Sequence, residues 1–111
     1  MPHCIIECSE DLAQQAAAPR LLQTVHQAAF DSGLFQAGDI KCRLVPLRHY
    51  LVGGQAASFI HIACHIMAGR NAEQRSQLAK RLVAATQALH PEIAAVSCEI
   101  HEMLAENYSK R

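Results

Sequence analysis

The residue best placed for proton-transfer chemistry is Pro2, which heads an apolar run that ends at Cys8. An initiator Met followed by a residue as small as Pro is normally removed, so we expect the chain to begin with the secondary amine of Pro2. An α-amino group has a reference pKa near about 8, against about 10.4 for Lys, and needs only a modest shift to act as a neutral base. A purely structural interpretation is also open, because the first residue of a strand tolerates Pro.

The composition favours a single globular domain that spans residues 1–111. The chain has 111 residues, of which 50% are hydrophobic and 18% charged, so its length leaves no room for a second core. Ten basic residues balance ten acidic ones, and no run of Lys or Arg predicts binding to nucleic acid or to an anionic membrane surface. No apolar segment approaches the roughly 20 residues that cross a bilayer. We therefore expect a cytoplasmic protein.

Five cysteines, an odd number, lie in apolar strand-like runs and form no CxxC pair. We expect them to be reduced thiols of the core, and none has an obvious activating base that would make it a nucleophile. They are Cys4, Cys8, Cys42, Cys64 and Cys98.

The first half of the chain has the pattern strand, helix, strand. Residues 3 to 8 alternate as a strand that we expect to be central. A helix with Pro19 in its first turn follows and ends at Ser32-Gly33, while a separate helical turn within residues 11 to 18 stays undecided. Residues 40 to 45 form the second strand, and Pro46 limits residues 47 to 52 to an edge strand or a bent continuation.

The second half repeats this pattern. Residues 59 to 67 alternate as the longest clear strand. Asn71 and Gln74 have the spacing of a capping box, which predicts the start of a helix, and His90-Pro91 ends it. Residues 93 to 103 then return as a strand.

The two pseudo-repeats, about 1–53 and 54–111, predict an α/β (α+β) fold of duplicated β-α-β units. Each crossover helix makes its flanking strands parallel, which gives a four-stranded mixed sheet with two helices on one face. Nothing in the chain covers the opposite face, which we call the open face, and its mixture of apolar and ionisable side chains predicts self-association. Its ionisable members are Glu7, Arg43, His61, His65, Glu99 and His101.

Nearly the whole chain resembles the tautomerase superfamily, and within it the 5-carboxymethyl-2-hydroxymuconate isomerases. The matching segments cover nearly the full length, and their combination is more specific than any one of them. The resemblance implies a homotrimer with active sites at subunit interfaces, neither cofactor nor metal, and an amino-terminal proline base acting on small dicarboxylates. The matching segments are residues 2–9 (PHCIIECS), 40–43 (IKCR), 59–62 (FIHI) and 68–75 (AGRNAEQR).

The same resemblance implies roles for two arginines. Arg43 and Arg70 would act with Pro2 as catalytic residues, binding the substrate carboxylates and the developing enolate through planar bidentate donors. Cations and partial burial near the amine would also lower its pKa. Structural roles are open for both arginines, since Arg70 could solvate its turn and Arg43 could pair with Glu7 or Glu99 on the open face.

Seven histidines raise a metal-binding hypothesis, because three of them share the open face. His61 and His65 would lie about 13 Å apart on one strand and so cannot share an ion within a subunit, although a threefold axis could gather three copies of one histidine. We instead expect a polar layer hydrogen-bonded to Ser97 or Glu99. His3 alternates to the face opposite the base, which argues against a direct proton role.

The interpretation that unites these features is a cofactor-free isomerase that moves a proton in an unsaturated 2-oxo or 2-hydroxy dicarboxylate. A non-catalytic trimeric binding protein on the same scaffold is the alternative. Cys4 and Lys41 depart from the residues common in the family, where a larger apolar residue and an Arg are usual. Phenylpyruvate tautomerisation and hydrolytic dehalogenation are therefore also within reach of the fold.

Overall fold

The computed structural model describes residues 1–14 and 16–111 and contains one sheet with helices packed against it. Short 3-10 turns lie at Ala37–Asp39 and Ala105–Asn107. The strands and helices are β1 (His3–Ser9), α1 (Glu10–Ala13), α2 (Ala18–Asp31), β2 (Lys41–Leu47), β3 (Phe59–Met67), α3 (Ala72–Leu89) and β4 (Ala95–Met103).

The sheet is four-stranded and mixed, with strand order β2-β1-β3-β4, which confirms the predicted fold class. Strands β1 and β2 are parallel, as are β3 and β4, while the two central strands β1 and β3 are antiparallel. Each half is therefore a β-α-β unit, and the halves join through their first strands. The prediction that the first strand is central is confirmed.

One face of the sheet is buried under α2 and α3. Alternate residues of the central strands, such as Ile6 and Ile62, are fully buried there, and Val25 and Leu82 meet them from the two helices. Apart from the buried Ser9 at the end of β1, the intervening residues of β1, β3 and β4 are half-buried or exposed on the open face, as the alternation predicted. The helices therefore leave a whole sheet face available to other molecules.

Strands β2 and β4 differ most from their predicted bounds. Strand β2 runs through Pro46 to Leu47, which is possible because β2 is an edge strand and the missing N–H interrupts no ladder on its outer side. Strand β4 begins at Ala95, two residues later than predicted, because Ile93 hydrogen-bonds back to the His90 carbonyl after the helix. The undecided segment, residues 11 to 18, begins within the short helix α1, and Gln15 of this segment lies outside the described residues.

The predicted helix starts are confirmed. Pro19 lies in the first turn of α2, and Asn71 and Gln74 form the reciprocal capping box of α3. Beyond β2, Val52 and Gln55 pair across Gly53 and Gly54, whose φ angles of 57° and 79° suit a tight hairpin turn. In the described ranges, residues 1–14 and 16–111, no helix is long and apolar enough to cross a membrane.

Candidate active site

The amino terminus is fastened to the segment that leads into β2. Pro2 is buried at the head of β1, and its carbonyl oxygen accepts a hydrogen bond from the Lys41 amide at 3.0 Å. The chain as described carries Met1, whose amine donates to the Asp39 carbonyl at 3.1 Å. A base at this end of the chain would be held in one place by the parallel pairing of β1 and β2.

The surroundings of the amino terminus disfavour a charged amine. Partial burial lowers the pKa of the Met1 amine below its ordinary value, and the charge of Lys41 lowers it further. Asp39 acts in the opposite direction, while Lys110 and Arg70 add smaller lowering contributions. An amine at this position is therefore shifted towards the neutral form that a general base needs.

Arg43 lies on β2 with its side chain on the open face, two residues beyond Lys41, and it is exposed. Its Nη1 is 3.1 Å from Nδ1 of His3, and Nε2 of His3 is 3.1 Å from the Tyr108 hydroxyl. The partner of Arg43 is thus a histidine, and neither Glu7 nor Glu99 forms a salt bridge with it among the described residues. The sequence left open a pairing of Arg43 with a glutamate, but in the structure Arg43 contacts His3 instead.

Arg70 lies in the turn between β3 and α3, directly after Gly69, whose φ of 131° favours glycine. Its Nη2 donates to the Leu34 carbonyl at 2.8 Å, and its guanidinium carbon lies 5.2 Å from the centroid of the Phe35 ring. Arg70 therefore does more than solvate its own turn, because it joins that turn to the loop after α2.

Within one subunit the three predicted site residues approach the same end of the sheet from different sides. Pro2 is buried on the helix side, Arg43 lies on the open face beside His3, and Arg70 acts electrostatically on the amino terminus from its turn. Among the described residues, one cavity of about 340 Å³ lies beside Asp11 and another of about 400 Å³ lies beside Cys42, and neither is lined by Pro2, Arg43 or Arg70.

The open face carries the polar layer expected from the histidines. Nδ1 of His61 is 2.7 Å from the Ser97 hydroxyl, and its Nε2 contacts the carboxylate of Glu99. Glu99 also contacts His101, so it bridges two histidines, and these hydrogen bonds lower the pKa of its carboxyl. The His101 ring stacks on that of His65 with centroids 4.8 Å apart. Both nitrogens of His61 and the Nε2 of His101 therefore find their partners within the layer.

Three residues near the terminus were not predicted as site residues. Lys41 and Lys110 contribute to the field at the amine, and Tyr108 contacts His3. Lys41 lies in residues 40–43, one of the segments that resemble the family, and could have been predicted as a site residue because it is close to Arg43. Tyr108 and Lys110 follow the last strand, where no periodicity indicates which way the chain turns.

The thiols and histidines form no further reactive centre among the described residues. All five cysteines are free, and burial is the main cause that raises the pKa of Cys98 to about 12. The hydrogen bond with Cys42 acts to lower the pKa of Cys4, but the hydrogen bond with Cys64 and burial outweigh it and raise this pKa to about 12. In residues 1–14 and 16–111, no group of three or more His, Cys, Asp or Glu side chains is arranged to hold a metal ion.

The family model for 5-carboxymethyl-2-hydroxymuconate isomerase matches residues 2–111. The chain belongs to this isomerase family. A curated member, the 5-carboxymethyl-2-hydroxymuconate Delta-isomerase of Escherichia coli, is 28% identical over 110 residues, which cover 93% of this chain and 87% of that protein. The family assignment therefore includes Pro2, Arg43 and Arg70 within the matched range.

Solved structures share the fold of this isomerase-family chain. A 5-carboxymethyl-2-hydroxymuconate isomerase from Deinococcus radiodurans R1 has a TM-score of 0.80 at 25% identity, covering 99% of this chain and 88% of its own. Pt0534, solved after inactivation by 2-oxo-3-pentynoate, has a TM-score of 0.87 at 20% identity and covers 97% and 90%. A symmetric trimer of fused 4-OT has a TM-score of 0.83 at 17% identity, again covering 97% and 90%.

Proposed function

We propose that the protein is a cytoplasmic, cofactor-free isomerase that moves a proton in an unsaturated 2-oxo or 2-hydroxy dicarboxylate such as 5-carboxymethyl-2-hydroxymuconate. Pro2, freed from Met1, is the general base, and Arg43 and Arg70 bind the carboxylates and the enolate. Membership of the isomerase family over residues 2–111 supports the reaction class. The observation that carries the proposal is the buried position of Pro2 at a terminus where burial and neighbouring cations lower an amine's pKa.

The proposed reaction needs one group that both accepts and returns a proton. The neutral Pro2 amine takes a proton from the substrate, whose electron pair spreads over the conjugated system as a dienolate, and the amine becomes an ammonium. The ammonium then gives the proton to a different carbon, which forms the isomer and restores the neutral amine. No electron or further reactant is required.

The bonding of the two arginines supports their role in holding anions. Arg43 is anchored by the imidazole of His3 and Arg70 by the Leu34 carbonyl, so each has a neutral acceptor. An arginine has five N–H donors, and these contacts leave most of them, with the full positive charge, for a substrate carboxylate. The dienolate would gain from the same charges as it forms.

A trimer would complete the site. Pro2 and Arg43 lie on opposite sides of the same sheet end, so a single subunit does not enclose a substrate between them. The open face provides the surface for assembly, since its half-buried strand residues mix apolar side chains with the His61, Glu99 and His101 layer. Burial of this face would bring other subunits to the end of the sheet that carries both Pro2 and Arg43, where a neighbouring chain would close the pocket.

The base is tested by intact-mass measurement followed by an isomerisation assay. We expect the purified chain to lack Met1 and to isomerise 5-carboxymethyl-2-hydroxymuconate. Pro2→Ala should lower kcat by roughly a hundredfold or more, in the range of general-base contributions, whereas Pro91→Ala, an exposed proline after α3, should leave kcat unchanged. Retained Met1 in an active protein, or a Pro2→Ala variant with the kcat of the wild type, would exclude the mechanism.

The assembly is tested separately by light scattering on the eluting protein. We expect three times the mass of one chain. A monomer with full activity would contradict the interfacial site. A trimer that binds dicarboxylates without isomerising them would favour the non-catalytic alternative.

A further inference from the structure

A chain of side chains links β2, β1 and the segment after β4. Nη1 of Arg43 lies 3.1 Å from Nδ1 of His3, and Nε2 of the same ring lies 3.1 Å from the Tyr108 hydroxyl. Tyr108 is half-buried and meets the His3 ring edge-on, with centroids 6.0 Å apart and planes inclined at 67°. Both nitrogens of one imidazole are therefore in use.

The chemistry of arginine determines the tautomer of this histidine. A guanidinium has donors only, so Nδ1 of His3 must be the acceptor in its contact with Arg43. The proton of the neutral ring then lies on Nε2, which donates to the Tyr108 oxygen. Tyr108 in turn fixes the rotation of the ring, because a turned imidazole would lose both hydrogen bonds.

A neutral anchor suits an arginine that must bind an anion. Arg43 is exposed, and its side chain is long and flexible. Without an anchor, its guanidinium would lose conformational entropy on binding an anion. A carboxylate anchor would hold it but would also offset its charge. The His3 imidazole holds it and leaves the charge uncompensated.

We propose that His3 and Tyr108 are positioning residues that hold the Arg43 guanidinium ready for a substrate carboxylate. The inference rests on the proposed function only in taking Arg43 as an anion-binding residue. It makes the segment after β4 part of the site, since Tyr108 reaches back from beyond the 3-10 turn at Ala105–Asn107.

The arrangement requires a neutral His3. Burial lowers the pKa of His3 below its ordinary value, and so do the charges that face it: Arg43 and Lys41 from β2, the terminal amine beside it, and His65 from β3. Tyr108 faces it from the segment after β4. Protonation would place a hydrogen on Nδ1 and remove the acceptor, so Arg43 is released only when the pH falls below this lowered pKa.

The test measures binding of adipate, a six-carbon dicarboxylate that cannot isomerise, by calorimetry at neutral pH. His3→Ala should weaken adipate binding roughly tenfold, the range for a hydrogen bond to a charged group. His3→Gln should bind within about twofold of the wild type, because its amide can accept from Arg43 and donate to Tyr108. Tyr108→Phe should weaken binding by roughly threefold, whereas Tyr50→Phe, beside Phe59, should not.

A double-mutant cycle separates positioning from a general structural role. Once Arg43→Ala has been introduced, adding His3→Ala should cause no further loss of adipate affinity, since His3 acts through Arg43. Additive losses, a His3→Gln variant as weak as His3→Ala, or a wild type that does not bind adipate would each overturn the proposal. Failure of Pro2 as the base would leave these binding results unchanged, so the two proposals fail separately.

Discussion

Replacing Arg70 by Ala should affect both stability and catalysis, and the structure predicts different sizes for the two effects. The side chain makes one charge-assisted hydrogen bond, to the Leu34 carbonyl at 2.8 Å, and one cation–π contact with Phe35. The partly buried hydrogen bond is worth about 1.5 kcal/mol and the contact about 0.5 kcal/mol. Arg70→Ala should therefore lower the free energy of unfolding by about 2 kcal/mol, which leaves most of the protein folded.

The catalytic effect should depend on the charge of the substrate. Loss of a charge-assisted contact to a carboxylate costs a factor of roughly 10 to 100 in kcat/KM. A neutral enol of similar size makes no such contact. Its kcat/KM, calculated from the concentration of folded protein, should therefore change by less than about threefold. The assay compares a dicarboxylate with an uncharged enol on the same preparations, with unfolding followed by urea titration.

Arg81→Ala is the matched control, because Arg81 is an exposed arginine on α3 whose loss leaves the turn after Gly69 intact. It should leave both substrates and the unfolding free energy nearly unchanged. Equal losses on the charged and the uncharged substrate in Arg70→Ala would refute the carboxylate role and leave only the contacts with Leu34 and Phe35.

Two further variants test the core and the open face. Ile62→Ala removes a fully buried side chain of a central strand and should lower the unfolding free energy by about 2–5 kcal/mol in urea titrations, whereas Leu51→Ala, at a 71% exposed position, should change it by less than about 0.5 kcal/mol. Equal effects would contradict the assigned core. Glu99→Gln should lower the melting temperature at pH 7, because Glu99 has a lowered pKa and its stabilisation is present above the ordinary glutamate range and lost as pH falls through the lowered value. The gap to the wild type should therefore shrink at pH 3, and a gap of the same size at both pH values would show that the hydrogen bonds to the histidines contribute no pH-dependent stability.

Periodicity was sufficient to predict the fold because each prediction depended on local sequence. Alternation along residues 59 to 67 separates Ile62 from His61, and burial of one face follows from it without knowledge of any partner strand. The capping box of Asn71 is equally local, since both of its bonds lie within four residues. Such features need no three-dimensional information.

The partners of the site residues could not be predicted in this way. The partner of Arg43 depends on the register between β1 and β2, which sets His3 opposite Lys41 and so diagonal to Arg43. From the sequence, an acid on the same face was as reasonable a partner as this histidine. The contact of Tyr108 with His3 was harder still to predict. The chain leaves β4 through a 3-10 turn, and the direction of that turn depends on tertiary contacts.

The described arginines differ in what anchors them, and this difference bears on function. Arg48 pairs with Glu10 at 3.2 Å and Arg75 with Glu102 at 3.6 Å, so their charges are offset within the chain. Arg43 is held by an imidazole and Arg70 by a carbonyl. Both partners are neutral, so they leave the positive charges of the two arginines uncompensated.

Uncompensated cations near one terminus repel each other, and an arriving anion relieves that repulsion. An isomerase and a binding protein would both benefit from this arrangement, so the arginines alone do not distinguish them. The amino terminus bears on this choice, because partial burial and Lys41 lower the pKa of the Met1 amine there. A binding protein would gain nothing from a lowered pKa at this position, since a charged amine would bind the anion better. Proton transfer is the activity that requires the neutral form, and the Pro2→Ala variant therefore decides between the two functions where the arginine variants cannot.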